Sequence, residues 1–124
     1  MNYLNNRPKT ILCDIDGTLV KHVSLSISSK PYFKMELLPG TIEKLQEWDV
    51  KGYNIILISG RRESMREITK KQLNEVGIVY DQLILGVGGG ERHLINDIKP
   101  DGKTKTAFSY NIKRNIEGIK NLKI

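Results

Sequence analysis

The stretch TILCDIDGTL, residues 10–19, decides the fold. Its first part is a short apolar run that ends at Asp14, which predicts a buried strand. Asp16 follows two residues later, and Gly17 lets the backbone turn at little steric cost. Asp and Gly also occur together in ordinary surface turns, but an apolar strand that brings two acids to one place favours a site. Two carboxylates so placed can hold a divalent cation or divide nucleophilic and acid–base work.

Beyond this stretch, predicted strands alternate with predicted helices. Residues 53–58 form a near-continuous apolar run, typical of a strand buried on both faces of a parallel sheet. Apolar residues at helical spacing predict helices over residues 41–52 and 62–76. Shorter apolar runs predict further strands at residues 83–85, 93–96 and 106–112. The alternation predicts an α/β domain with a three-layer, Rossmann-like architecture, a central parallel sheet and right-handed crossovers.

Residues 19–38 interrupt this alternation. They show no helical period, and Val23, Leu25 and Ile27 alternate with serines. Alternation of apolar and polar residues is typical of a half-exposed strand. The segment is therefore predicted to form an exposed hairpin or flap.

Composition limits the kind of protein. The chain has 124 residues, of which 39% are hydrophobic and 27% charged, which suits one compact domain over residues 1–124 and disfavours disorder. No apolar run approaches the roughly 18 residues needed to cross a bilayer. Residues 1–8 lack the apolar core of a secretory signal. The lone Cys13 excludes an internal disulfide and fits a reducing compartment, so a cytoplasmic location without a membrane partner is expected.

The positive charge is concentrated towards the end of the chain. Lysine and arginine outnumber aspartate and glutamate by 20 to 14, a net charge of +6. Residues 99–124 hold seven of the basic residues and two of the acidic ones. Such an excess suits a nucleic acid, an anionic substrate or solubility alone. Residues 102–124 are called the basic C-terminal segment below.

Three of the predicted strands end in polar residues. Asp14 and Asp16 follow the first strand, Ser59 follows the strand at 53–58, and Asp97 follows the run at 93–96. Because ligands of open parallel sheets bind beyond the carboxyl ends of the strands, these residues are expected to form one site.

The pattern Asp14-x-Asp16-Gly-Thr-Leu after an apolar strand resembles the first motif of the haloacid dehalogenase (HAD) superfamily, most of whose members are Mg²⁺-dependent phosphatases. The resemblance implies that Asp14 is the nucleophile and forms an aspartyl-phosphate. It implies that Asp16 protonates the leaving group and then activates the hydrolytic water. It also implies that a Mg²⁺ ion is bound by the Asp14 carboxylate and the Asp16 backbone carbonyl.

Two later stretches are similar to further motifs of the superfamily. Ser59, followed by Gly60, stands where the second motif has a Ser or Thr that binds a phosphoryl oxygen, although a serine there also suits a turn or a helix N-cap. The stretch NDIKPD, residues 96–101, is similar to the acidic D-x-x-x-D cluster, which makes Asp97 the third metal ligand. Asp101 is either a supporting residue of the metal site or a turn residue.

The third motif of the superfamily is a lysine that neutralises the nucleophile and the phosphate, and no lysine stands just before residues 93–96. Arg92 is the nearest cation, and Lys99 lies just beyond the run. Since several carboxylates and a phosphate need a compensating cation, Arg92 or Lys99 is expected to bind phosphate. Arg61 either adds charge to the phosphate or is solvated at a helix start.

The resemblance covers residues 9–101 and implies a phosphatase that acts on a phosphomonoester. Residues 19–38 are too few for the cap domain of most HAD enzymes, so a capless member is expected, and such members often form a homo-oligomer or act on large substrates. A small phosphorylated metabolite, such as a sugar phosphate, is the favoured substrate. Two alternatives stay open: a nucleic-acid end phosphatase recruited by the basic C-terminal segment, and a non-catalytic HAD-like protein that binds phosphate or a partner.

Overall fold

Three parallel strands form the centre of the fold. The computed structural model describes residues 7–124, so most of the stretch on which the signal-sequence prediction rests lies outside it. The strands are β1 (Thr10–Asp14), β2 (Asn54–Ile58) and β3 (Gln82–Ile84), in that order across the sheet. Asp14 lies opposite Ile58, so β1 and β2 end at the same edge.

Helices connect the strands. In the described residues they are α1 (Leu25–Ser28), α2 (Thr41–Val50) and α3 (Arg66–Glu75), and a 3-10 turn at Glu63–Met65 precedes α3. Both crossovers run in the same direction across the sheet. Residues of α2 and α3 pack in one core cluster with the same face of β1 and β2, so both helices lie on that face. This arrangement confirms the predicted Rossmann-like α/β fold. None of the helices in residues 7–124 has the length and apolarity to span a membrane.

The core lies between that face of the sheet and the two longer helices. Alternate strand residues pack with a stripe from each helix, and the cluster includes Ile11, Cys13, Ile55, Leu57, Leu45, Trp48 and Leu73. Full burial of a side chain such as Leu or Ile contributes roughly 1.5–3 kcal/mol. The cluster therefore fixes the strand ends on which the predicted site depends.

The predicted flap is a hairpin at its base and a helix at its tip. At the base, the N–H of Leu38 donates to the carbonyl of Leu19 (2.9 Å). At the tip the predicted hairpin strands are wrong, because α1 forms there instead. The carbonyl of Ser28, the last residue of α1, accepts a hydrogen bond from Gln72 Nε2 (2.7 Å). This contact ties the tip to α3.

The predicted strands at 93–96 and 106–112 are also wrong. Within the described chain these residues have no strand, and an isolated bridge between Ile98 and Lys105 is the pairing found near them. Ile95 is 91% exposed. An apolar run becomes a strand where a neighbouring strand edge pairs with its backbone, and the described residues place no such edge beside this run.

The end of the chain packs back onto the flap and α2. Ile119 is buried, and the N–H groups of Ile119 and Lys120 both donate to the carbonyl of Pro39 (3.0 and 3.2 Å). Further back, the N–H of Asn115 donates to the carbonyl of Gly17 (2.9 Å). Part of the basic C-terminal segment therefore lies beside the turn that carries the two acids.

Candidate active site

The turn after β1 presents both acids of the first motif to one cavity. The carbonyl of the fully buried Ile15 accepts the N–H of Leu19 (2.9 Å), which anchors the turn in the core. Gly17 has a φ of +90°, a left-handed conformation that glycine adopts without steric cost. Asp14 and Asp16, on either side of Ile15, line a cavity of about 550 Å³.

Asp14 is held from two sides. Thr18 Oγ1 donates to Asp14 Oδ2 (3.2 Å), and Arg92 Nη1 donates to Asp14 Oδ1 (3.0 Å). The side chains of Asp14 and Arg92 are each about one-third exposed, so the carboxylate stays accessible from the cavity. Of the two cations considered from the sequence, Arg92 is therefore the one that the structure brings to Asp14.

Asp16 faces a buried arginine. Arg61 Nε donates to Asp16 Oδ2 and Arg61 Nη2 donates to Asp16 Oδ1, both at 3.0 Å. This is the bidentate geometry of strong arginine–carboxylate pairs. Arg61 is only 8% exposed, so it is not the solvated helix-start residue considered from the sequence. The structure makes it the partner of Asp16.

A buried hydrogen-bond network continues from Arg61 into α3. Arg61 Nη1 donates to Thr69 Oγ1 (3.2 Å) and to Gln72 Oε1 (2.8 Å). The amide nitrogen of Gln72 in turn donates to Ser28 in the flap. Because buried polar groups are costly unless they are paired, this network fixes the position of the guanidinium and hence that of Asp16.

The second predicted motif forms a tight turn at the edge of the cavity. Ser59 is buried, and its Oγ accepts the N–H of Arg61 (3.0 Å). Gly60 lines the cavity, whereas Ser59 does not. A Cβ atom at Gly60 would lie 3.0 Å from the carbonyl oxygen of Val87, so this close approach favours glycine. The hydroxyl of Ser59 therefore positions Arg61, and its binding to a phosphoryl oxygen stays a prediction.

The acidic cluster at residues 96–101 lies apart from this site. Asp97 is highly exposed and forms an ion pair with Lys99 (3.6 Å), and neither residue lines the cavity. Asp101 accepts the N–H groups of Lys103 and Thr104 (2.8 Å each), so it is a turn residue. The Thr104 hydroxyl first, and then these N–H groups, lower the pKa of Asp101. The structure does not bring Asp97 or Lys99 to Asp14, because the strand expected to carry them is not formed.

These positions decide whether the described residues fit a Mg²⁺ ion. Mg²⁺ prefers oxygen ligands in octahedral geometry, and Asp14 and Asp16 are donors of that type. Arg92 and Arg61 engage both carboxylates, however. Residues 7–124 contain no group of three or more His, Cys, Asp or Glu side chains that could hold a metal ion. The described residues therefore do not complete a magnesium site.

Cys13 lies next to Asp14 but points into the core. Burial, and to a smaller extent the charge of Asp14, raise the pKa of the Cys13 thiol to about 12. Because the thiolate is the reactive form of cysteine, this side chain packs as a small apolar group at neutral pH.

Two further arginines line the cavity that sequence patterns did not single out, namely Arg62 and Arg114. Arg62 precedes the 3-10 turn, whereas Arg114 comes from the basic C-terminal segment. No spacing or motif links Arg114 to the two acids, so the packing of the chain end alone brings it to the cavity.

The chain matches a known protein family over most of its length. The family described as the polynucleotide kinase PNKP phosphatase domain matches residues 8–111. No curated protein sequence matches the chain.

Among solved structures, two of Pnkp1/Rnl/Hen1 assemblies are similar to the chain. For one, described as the Pnkp1/Rnl/Hen1 complex, the identity is 29% and the TM-score 0.55 over 72% of this chain. For the other, described as an RNA repair complex, the values are 30% and 0.53 over 76% of this chain. The matches span 31% and 28% of those longer chains. A structure of a protein from Vibrio cholerae, 20% identical with a TM-score of 0.52, covers 75% of this chain and 85% of its own, and this likeness shows the fold alone.

Proposed function

The chain belongs to the family of the polynucleotide kinase PNKP phosphatase domain, and from this premise we propose that it removes a phosphate from the end of a polynucleotide. Membership agrees with the resemblance of the Asp14-x-Asp16 motif to HAD phosphatases and makes the protein a hydrolase that acts on phosphoric monoesters. The identity of the substrate is the proposed part. The observation that carries it is the charge of the cavity.

The cavity has more positive than negative side chains. Asp14 and Asp16 are the two acids in its lining, and each is paired with an arginine. Arg62 and Arg114 also line it, and neither forms an ion pair with an acid of residues 7–124. A polynucleotide end carries phosphodiesters beside its terminal phosphate, so it is a more highly charged ligand than a monophosphorylated metabolite. An excess of arginine attracts and holds such a backbone.

In the first step of the proposed mechanism, a carboxylate oxygen of Asp14 attacks the phosphorus atom. A bond forms between phosphorus and Asp14 while the bond from phosphorus to the leaving oxygen breaks. Asp16, in its protonated form, gives its proton to that oxygen. Thr18 fixes the orientation of Asp14 through its hydrogen bond. Arg92 neutralises charge on the phosphoryl oxygens as the nucleophile is consumed.

In the second step, water attacks the phosphorus atom of the aspartyl-phosphate. Asp16 accepts a proton from the water, the bond between phosphorus and Asp14 breaks, and inorganic phosphate leaves. The two hydrogen bonds from Arg61 hold the carboxyl group of Asp16 in place for this role. Both steps use side chains of this chain alone.

The requirement for Mg²⁺ that the HAD resemblance implies stays a prediction. Phosphate release should be measured with added Mg²⁺ and again with EDTA. Loss of release in EDTA supports the requirement, and unchanged release contradicts it.

The substrate proposal is tested by comparing esters at equal concentration. The set contains single-stranded oligonucleotides with a phosphate at the 3′ or the 5′ end, the same oligonucleotide without a terminal phosphate, and a sugar phosphate. One of the terminally phosphorylated oligonucleotides should have a kcat/KM at least about tenfold above that of the sugar phosphate. The oligonucleotide without a terminal phosphate should release none. A higher kcat/KM for the sugar phosphate contradicts the proposal and favours the small metabolite expected from the sequence.

The nucleophile is tested with Asp14→Asn. This variant should keep its circular dichroism spectrum and lose phosphate release from every substrate, because an amide oxygen is a poor nucleophile. If the wild-type protein also releases no phosphate from any ester, the non-catalytic alternative is favoured. Release that persists in Asp14→Asn contradicts the assignment of Asp14.

A further inference from the structure

Arg114 is a cavity residue that the proposed mechanism does not use. It lies outside residues 8–111, the part of the chain that matches the family, so membership of the family assigns it no role. Its side chain lines the same cavity as Asp14. With Arg61 on Asp16 and Arg92 on Asp14, the carboxylates of the cavity are already engaged.

Hydrogen bonds connect the residue after Arg114 to the turn that carries Asp14 and Asp16. Asn115 donates its N–H to the carbonyl of Gly17 (2.9 Å), and its Oδ1 accepts the N–H of His22 (2.6 Å). Asn115 has a φ of +61°, the only positive φ of a non-glycine residue in the part of the chain that the structure describes. Asparagine tolerates this conformation better than most residues. These hydrogen bonds fix the backbone at Asn115 and so set the direction in which the side chain of Arg114 extends.

The side chain of Arg114 itself lies over Gly17. A Cβ atom at Gly17 would be 2.9 Å from Arg114 Cγ and 3.4 Å from Arg114 Nε. The absent side chain of Gly17 therefore makes room for the arginine at the rim of the turn. Further along, the hydrogen bonds of Ile119 and Lys120 to Pro39 hold the same segment at its other end. Arg114 is thus presented on a segment fixed at two points.

We propose that Arg114 binds the phosphodiester next to the terminal phosphate and so selects a polynucleotide over a small phosphate ester. The planar guanidinium presents several N–H donors that match the oxygens of a phosphate. A site beside the nucleophile can be filled by a substrate with a second phosphate, and a simple monoester has none. This inference rests on the proposed function, since it names the residue that recognises the polynucleotide.

The test measures a ratio rather than an activity. The selectivity is kcat/KM for the terminally phosphorylated oligonucleotide divided by kcat/KM for phenyl phosphate. Arg114→Ala should lower this ratio about tenfold, the effect typical of one lost charge-assisted contact. Arg114→Lys keeps the positive charge but loses the planar set of N–H donors. Its selectivity ratio should lie between those of Arg114→Ala and the wild-type protein.

Salt dependence gives a second readout of the same contact. For single-stranded nucleic acid, each phosphate contact contributes about 0.7 to the slope of log affinity against log salt. Arg114→Ala should lose about that much slope in log(1/KM) for the oligonucleotide. Because the slope is taken from KM, it can be measured even in a variant with a low kcat. Circular dichroism shows whether each variant is folded.

Lys113→Ala is the matched control, because it removes one positive charge at the adjacent residue and Lys113 does not line the cavity. It should change the selectivity less than about twofold, as expected of a surface residue away from the substrate. An equal fall in Lys113→Ala and Arg114→Ala, or no fall in Arg114→Ala and Arg114→Lys, overturns the inference. A wild-type protein that prefers phenyl phosphate overturns both the proposed function and this inference. A preference for oligonucleotides that is unchanged in Arg114→Ala overturns only the inference.

Discussion

Arg61 and Asp16 meet through two parallel hydrogen bonds, from Nε to Oδ2 and from Nη2 to Oδ1, both 3.0 Å long. The two side chains are 6% and 20% exposed, so the pair is largely removed from water. Removing one partner of such a pair leaves the other charge uncompensated. The contact therefore links the stability of the fold to the geometry of the acid that is proposed to move protons.

Replacing Arg61 with methionine should strongly destabilise the protein. Asp16 is left without its partner, and Thr69 and Gln72 lose a donor. We expect the free energy of unfolding to fall by about 3–5 kcal/mol, as for other broken buried pairs. Urea unfolding followed by circular dichroism measures the change.

Arg62→Met is the control for this prediction, since Arg62 is adjacent and exposed and forms no ion pair within the described residues. Its free energy of unfolding should change by less than about 0.5 kcal/mol. Similar losses in both variants would show that the pair between Arg61 and Asp16 does not carry the stability assigned to it.

Thr18 should contribute to turnover by orienting Asp14. Thr18→Val removes the hydrogen bond to Asp14 Oδ2 while keeping the shape of the side chain. We expect kcat to fall about tenfold with little change in KM, because the loss affects the direction of attack. Thr18→Ser keeps the hydroxyl and should stay within about threefold of the wild-type kcat. Comparable losses of kcat in Val and Ser variants would argue against an orienting role.

Gly17 should be sensitive to a methyl group for two reasons that can be separated. Gly17→Ala imposes a left-handed conformation on alanine and pushes its Cβ against Arg114. Gly52 also has a positive φ, of 77°, but its Cβ would meet no atom within 4 Å. Gly52→Ala should lower the free energy of unfolding by about 1–2 kcal/mol through the backbone alone.

Gly17→Ala should cost more than Gly52→Ala and should also reduce the selectivity for oligonucleotides, because Arg114 has to move. Thermal melting and the kcat/KM ratio measure the two effects. If the two variants lose equal stability and Gly17→Ala keeps its selectivity, Gly17 does not hold Arg114 in place.

The sequence predicts those parts of the fold whose partners lie close along the chain or follow a simple period. The apolar runs at β1 and β2 predicted both strands, and Asp14 and Asp16 follow directly from the end of β1. The burial on both faces predicted for residues 53–58 is wrong, because Ile56 is only partly buried and Leu12, its neighbour on the same face of the sheet, is 46% exposed. The run at 93–96 is shorter, with two apolar residues, Leu94 and Ile95, and it needs a strand edge beside it. The residue pattern does not show whether that edge is available.

The parts of the site that the sequence left open are contacts between distant residues. Arg61 lies 45 residues from Asp16, and an arginine is rarely buried unless it is paired. Arg92 reaches Asp14 across 78 residues, which is why Arg92 and Lys99 were equally good candidates. Asp97 lies away from the site because the strand expected to end at Asp97 is not formed.

Cys13 should make the protein less stable at high pH. Burial raises the pKa of its thiol from 9.0 to about 12 in the folded state, whereas in the unfolded chain it ionises from about pH 9 upwards. The folded state keeps the proton that the unfolded state loses, so this contribution to stability is complete below pH 9 and is lost between pH 9 and about pH 12. Each pH unit in that window should remove about 1.4 kcal/mol.

Tyrosine and lysine titrate in the same pH range, so the quantity to measure is the difference in free energy of unfolding between the wild-type protein and Cys13→Ala. That difference should stay constant below pH 9 and shift steadily against the wild-type protein above it. A difference that does not change with pH would mean that the thiol ionises as readily in the core as in water.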